Sequence, residues 1–236
     1  HGSGTALTDG NYNVAIGSGA LDTSTSVTHA VIIGRGACGG ADVTNGAVGT
    51  VAIGSAALNA LTTGAGNVAI GYQNLAGHTT GGYNTAIGHQ AMDGTAGDAN
   101  DAPNSSYNTA LGANALGGDW ADAQSCDYNV AIGSNTLDAA LNDCEKNVAV
   151  GHNALGALTG SATGTQGELN TAVGTEAGDA LTIATKCTII GAESDTGSVD
   201  SENQTAVGYG VTAVDVNDTV TLGNASVTAV YMAQDS

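Results

Sequence analysis

The chain has no phenylalanine, one tryptophan and one proline, and its three lysines and arginines face 22 aspartates and glutamates. Large aromatic side chains normally supply much of the area buried in a globular core. Without them the 236 residues are poorly equipped for one thick core, and a thin core of many small layers is expected. The formal charge of −19 argues against nucleic-acid binding, because phosphate contacts need basic side chains. It disfavours anionic membrane surfaces for the same reason. No run of 18 apolar residues occurs, so no membrane-inserted helix is expected. The acidity suits solubility and could draw divalent cations.

What is abundant is glycine, with 37 residues, and much of it keeps a register. A five-residue pattern, Asn-(Val/Thr)-Ala-Ile-Gly, ends at Gly17, Gly34, Gly54, Gly71, Gly88, Gly112, Gly133, Gly151, Gly174, Gly191, Gly208 and Gly223. The commonest spacing is 17 residues, and every excess falls between patterns. Positions are counted below from this glycine as zero. Position −1 is always Ile, Leu or Val, and position −3 is always Val or Thr. Position −2 is Ala except at Ile32, Ile189 and Thr221. Position −4 is Asn at Asn13, Asn67, Asn84, Asn108, Asn129, Asn147 and Asn170, and position +4 is Leu or Met at Leu21, Leu58, Leu75, Met92, Leu116, Leu137 and Leu155.

β-branched residues at alternate positions indicate strands. Repeats of this length indicate a solenoid whose coils are stable only when stacked. The fold expected is all-β: an elongated parallel β-solenoid of about twelve coils. Residues 1–216 would form the repeat domain, and 217–236 a last degenerate coil leading to a further segment. Stacking at about 4.8 Å per coil would give a rod about 55 Å long. Side chains alternate across a strand, so Val/Thr and Ile share one face and Asn and Ala the other. The Ile face is expected to meet the core, with the +4 Leu closing it from a second strand. The flat Ala face would be covered by another copy of the chain. The Asn column would stack into an amide ladder, with Gly and Asn-Gly or Asp-Gly pairs taking the positive-φ corners. The opening residues, Gly2 to Leu7, read as the middle of a repeat, so the chain is expected to continue a longer protein.

Several residues stand out for chemistry. Gly34-Arg35-Gly36-Ala37-Cys38-Gly39 matches a dinucleotide-binding pattern, but it lies in the repeat register without the βαβ context such a site needs. Cys126 and Cys144 share position −7 in consecutive coils, within reach of a disulfide. Cys38 reads as a small core residue and Cys187 as a free thiol in the Asn column. The two longest insertions between early coils carry Asp98 and Asp101, then Asp119, Trp120 and Asp122. Neighbouring loops with four carboxylates could hold calcium, and Trp120 between Asp119 and Asp122 is a candidate receptor contact. Tyr12, Tyr83, Tyr107 and Tyr128 share position −5 and read as a stripe. No nucleophile with an activating partner is evident, and the aromatic-lined groove of a polysaccharide-cleaving spike is missing, so no enzyme is expected.

The stretches Asn13-Val14-Ala15-Ile16-Gly17-Ser18-Gly19-Ala20-Leu21 and Asn67-Val68-Ala69-Ile70-Gly71-Tyr72-Gln73-Asn74-Leu75 resemble the repeats of phage tail fibres. The ending Val220-Thr221-Leu222-Gly223-Asn224 is similar to the segment that precedes a C-terminal chaperone domain in such fibres. The pattern also resembles the heads of trimeric autotransporter adhesins, which are left-handed parallel β-rolls, although those repeats are shorter and more regular. The resemblance implies a homotrimer, intertwined or side by side, outside the cell and on a virion. It implies a role in supporting or performing attachment to a host-surface glycan or protein. A bacterial trimeric surface adhesin or a self-assembling extracellular filament is the alternative.

Overall fold

The computed structural model describes residues 2–94, 105–118, 126–161 and 166–230. Twelve three-residue strands follow one another: β1 Val14–Ile16, β2 Val31–Ile33, β3 Val51–Ile53, β4 Val68–Ile70, β5 Thr85–Ile87, β6 Thr109–Leu111, β7 Val130–Ile132, β8 Val148–Val150, β9 Thr171–Val173, β10 Thr188–Ile190, β11 Thr205–Val207 and β12 Val220–Leu222. They form a single parallel sheet in chain order. The register is unbroken: Val68 pairs with Thr85, Ala69 with Ala86 and Ile70 with Ile87, and every other neighbouring pair follows suit. The chain is therefore an all-β parallel solenoid. Its helical content among the described residues is one short turn, Asn45–Ala47, capped by the Thr44 hydroxyl.

The faces of these strands are the reverse of the expected arrangement. The Ala column points into the coil: Ala52, Ala69, Ala86, Ala110, Ala131, Ala149, Ala172 and Ala206 are wholly buried. The Val/Thr and Ile columns flank it on the outside and stay partly or largely exposed. The reason is space. The coil is narrow and already holds the +4 side chains, so only a methyl or a compact amide fits on the strand's inner side. The branched residues stand outside, where identical neighbours one coil above and below cover their flanks.

Two exceptions show how tightly the inner volume is held. Ile189 replaces Ala in β10, and Gly178 takes the +4 place one coil earlier. A Cβ on Gly178 would approach Ile189 Cδ1 to 2.8 Å and Leu155 Cδ2 to 2.9 Å. The extra methyl groups thus fill the room left by the missing leucine, a volume-conserving exchange of the kind cores tolerate. Ile32 likewise shares its coil with the smaller Cys38.

The second strand expected at the +4 leucines is absent from the described residues. Leu21, Leu58, Leu75, Leu116, Leu137 and Leu155 are fully buried, but they lie in turns with φ between 50° and 55°. Position −5 is also left-handed, with Tyr83, Tyr107 and Tyr128 at φ of 60° to 62°. Bulky residues rarely adopt this conformation. Here the inter-coil hydrogen bonds require it: the Tyr83 N–H turns back to the Ala65 carbonyl at 2.8 Å, and the Leu75 N–H turns forward to that of Ala91 at 3.1 Å. Glycine is needed at position zero for a different reason. Gly71 has φ of 135°, and a Cβ there would run into the carbonyl of Gly88.

Candidate functional site

The Asn column on the inner side of the solenoid satisfies itself. Asn67, Asn84, Asn108, Asn129, Asn147 and Asn170 form a buried ladder. Each side-chain Oδ1 accepts the backbone N–H of position −4 in the next coil, at 2.8 to 3.0 Å. Each Nδ2 donates to the carbonyl of position −7 in the next coil, at 2.7 to 2.9 Å. Between most pairs an amide–amide bond of 3.1 to 3.2 Å is added. Asn13 makes the same two backbone contacts, with Ala30 and Val27, but Ala30 and Thr50 interrupt the column after it. Cys187 ends the ladder by imitation: its N–H donates to Asn170 Oδ1, and its thiol reaches the Ser201 carbonyl at 3.4 Å. With donors and acceptors matched inside, these amides have no capacity left for a ligand.

The same coils hold four thiols, all buried and free. The Cys144 N–H points at Cys126 Sγ at 3.4 Å, so the pair is stacked without being bonded. Burial pushes the Cys38 and Cys144 thiols up to about 12 and Cys126 higher still. These sulfurs behave as small apolar side chains, not as nucleophiles or metal ligands. His78 is buried beside the ladder. One ring nitrogen, Nε2, lies 2.9 Å from the Gly81 carbonyl, while Nδ1 has no partner. Nothing in the local sequence marks this histidine as internal.

The outer side is different. Each strand presents one Val or Thr and one Ile, Leu or Val to the exterior, and no strand carries a charge. On a chain of net charge −19, twelve consecutive uncharged strands form a continuous uncharged stripe, with an all-aliphatic column at position −1 and Val or Thr at position −3. Exposure within it is substantial at Ile16, Leu111, Ile190 and Leu222, at 57%, 45%, 43% and 47%. A contiguous apolar surface rimmed by polar residues marks an interaction site.

Beside the stripe runs the corner column at position −5. Tyr83, Tyr107 and Tyr128 stack with ring centroids 5.2 and 5.1 Å apart and planes within 9°. Tyr12 stacks on His29 at 4.9 Å. These tyrosines stay exposed, and the ring faces that meet are spent on each other. Further along, the column becomes ionic: Lys146 pairs with Glu145 at 2.6 Å and Lys186 with Glu202 at 2.9 Å. Exposed pairs of this kind contribute little stability. His89 and His152 are exposed turn residues, and His89 stacks on Tyr72 at 5.2 Å.

The insertion residues Asp98, Asp101, Asp119, Trp120 and Asp122, expected to bind calcium or a receptor, lie outside the described residues. Among the described residues no group of three or more His, Cys, Asp or Glu side chains is placed to hold a metal ion. The segment Gly34 to Gly39 runs from β2 into a turn that opens no helix, the short helical turn Asn45–Ala47 coming only later, so the dinucleotide pattern is the repeat itself. Comparisons with protein-family models, with curated proteins and with solved structures find no match to the chain.

Proposed function

We propose that the chain is a structural segment of an extracellular attachment fibre in which three copies cover one another's outer strand faces. No catalytic role is assigned to it. Its work is to hold, or itself present, a surface that binds a host-cell glycan or protein receptor, as a virion tail fibre does. The single observation behind this reading is the uncharged outer stripe on an otherwise strongly acidic chain. The Val/Thr and Ile columns are the faces proposed to meet between copies, since the Ala column, expected from the sequence to carry that contact, is buried inside the coil.

Size supports a second copy as the occupant. Twelve strands at about 4.8 Å give a stripe about 55 Å long. With two side-chain columns it is about 10 Å wide, on the order of 550 Å². A stable interface needs roughly 800 Å² per partner, so the stripe and the adjoining corner column together reach that scale. Copies in register would also match uncharged strand to uncharged strand along the whole length, a cyclic arrangement. Purified chain is expected to sediment at three times its 22.7 kDa mass. A mass of one chain at micromolar concentration contradicts the assembly, and an open-ended series of sizes favours a filament.

A further inference from the structure

Two of the buried thiols are neighbours. Cys126 and Cys144 hold the same place in consecutive coils, where the carbonyl of each accepts an amide Nδ2, from Asn108 and from Asn129, at 2.8 Å. One coil step of about 4.8 Å separates their backbones, inside the roughly 4.4–6.8 Å that a disulfide spans between Cα atoms. Cys126 Sγ already lies 3.4 Å from the Cys144 backbone nitrogen. Cys144 Sγ is turned toward the following coil, where a Cβ on Gly160 or Gly167 would come within 2.5 or 2.8 Å of it. Its only hydrogen bond there is a long one, 3.8 Å to the Asn142 carbonyl. The other two cysteines are out of range: Cys187 precedes β10 and Cys38 follows β2, each two or more coils away.

We propose that Cys126 and Cys144 join in a disulfide when the chain folds in the presence of a small disulfide oxidant, and that the closed solenoid afterwards preserves whichever state it folded in. This inference is independent of the attachment reading. One cysteine thiolate attacks the oxidant, expels one small thiolate and leaves a mixed disulfide. The second cysteine sulfur attacks the protein sulfur of that bond, and the second small thiolate leaves. The two cysteine protons pass to the two small thiolates, and the two electrons lost by the cysteines reduce the oxidant. Within the coil, one rotation about the Cys144 Cα–Cβ bond exchanges the glycine contact for Cys126 Sγ. The timing follows from burial. Both sulfurs are wholly inside, and burial raises both thiols, Cys144 to about 12. The attacking species is the thiolate, so exchange belongs to the chain before these coils stack. Afterwards neither oxidant nor reductant reaches the pair. The pair thus records where the coils closed: bonded in an oxidising compartment, free in one that keeps thiols reduced.

The test refolds the whole chain from denaturant and reductant, either into excess oxidised glutathione or into reductant. Thiols are then counted by alkylation in denaturant, and bridges are mapped by mass spectrometry of unreduced peptides. Expected after oxidative refolding are one bridge, Cys126–Cys144, free Cys38 and Cys187, and the same β-sheet circular dichroism as the reduced chain. C187S should form the same bridge, and C144S should form none. Chain closed in reductant and only then given oxidised glutathione should keep its four thiols at least about tenfold longer than unfolded chain does. Four free thiols after oxidative refolding, a bridge to Cys38 or Cys187, or loss of the β-sheet signal on bridging would overturn the pairing. Oxidation of the closed chain as fast as of the unfolded chain would overturn the preservation.

Discussion

Ala131 and Ile132 are neighbours in one strand, yet the first is wholly buried and the second stands partly open. The same division holds in nearly every coil. Inside, the columns are matched in size and hydrogen bonding: methyl groups, amides and the +4 leucines fill the coil and saturate one another. Outside, the columns are matched only in kind, all aliphatic or Thr, with nothing covering them. The inner columns carry the fold, and the outer columns are where a function can be attached without disturbing it. Parallel stacking produces the division, because any residue repeated at one position is reproduced as a column about 4.8 Å per step.

The largest expected effect of breaking this division comes from the ladder. Asn129→Leu strands the Asn147 and Cys144 backbone groups and the Asn147 side chain, which Asn129 now satisfies. A buried group left unpaired costs about 1–3 kcal/mol, so a loss of about 3 kcal/mol or more is expected in denaturant unfolding. A loss under about 1 kcal/mol would mean that the ladder is decorative.

A smaller effect, dependent on pH, is expected from His78. Burial holds its imidazole below the ordinary histidine range, and the Gly81 carbonyl offsets this only in part. The contribution is complete above an unfolded pKa of about 6.5. As pH falls below that value the unfolded chain takes up a proton that the folded coil refuses, so stability declines with acidification. His78→Gln should flatten the slope of unfolding free energy between about pH 6.5 and 5. An unchanged slope would assign acid sensitivity elsewhere, for instance to other buried groups. Asp195 is one group whose burial acts in the opposite direction: its carboxyl is raised by desolvation, so acid relieves it.

The smallest stability effect is expected on the outside. Tyr107→Ala removes the middle ring of the three-ring stack and should cost about 0.5–1.5 kcal/mol. The same substitution at a buried column would cost several times more. A loss above about 3 kcal/mol would show that the corner column is part of the core.

Much of the architecture was legible. The repeat of Val/Thr-Ala-Ile-Gly gave twelve strands and their register, because β-branched alternation ending at glycine has few other readings. The amide ladder followed from Asn recurring in one column. The inversion of inside and outside is not legible from hydrophobicity alone, because Ile is the larger apolar residue and reads as the core side chain. The counter-signal was present in Asn67 through Asn170: a dry amide ladder needs enclosure, and Ala shares its face. The left-handed leucines and tyrosines were not legible, since nothing in their chemistry favours positive φ, and the inter-coil hydrogen bonds impose it.

Sedimentation mass and thermal melting of Ile132→Asp, set beside the unaltered chain, test the division most directly. If three copies cover one another's outer faces as proposed, the mass falls from three chains to one with the β-sheet circular dichroism intact, because the carboxylate enters the proposed contact and leaves the inner columns untouched. An unchanged mass would show that the outer stripe is not the contact between copies. An unfolded chain would show that the outer column belongs to the core after all.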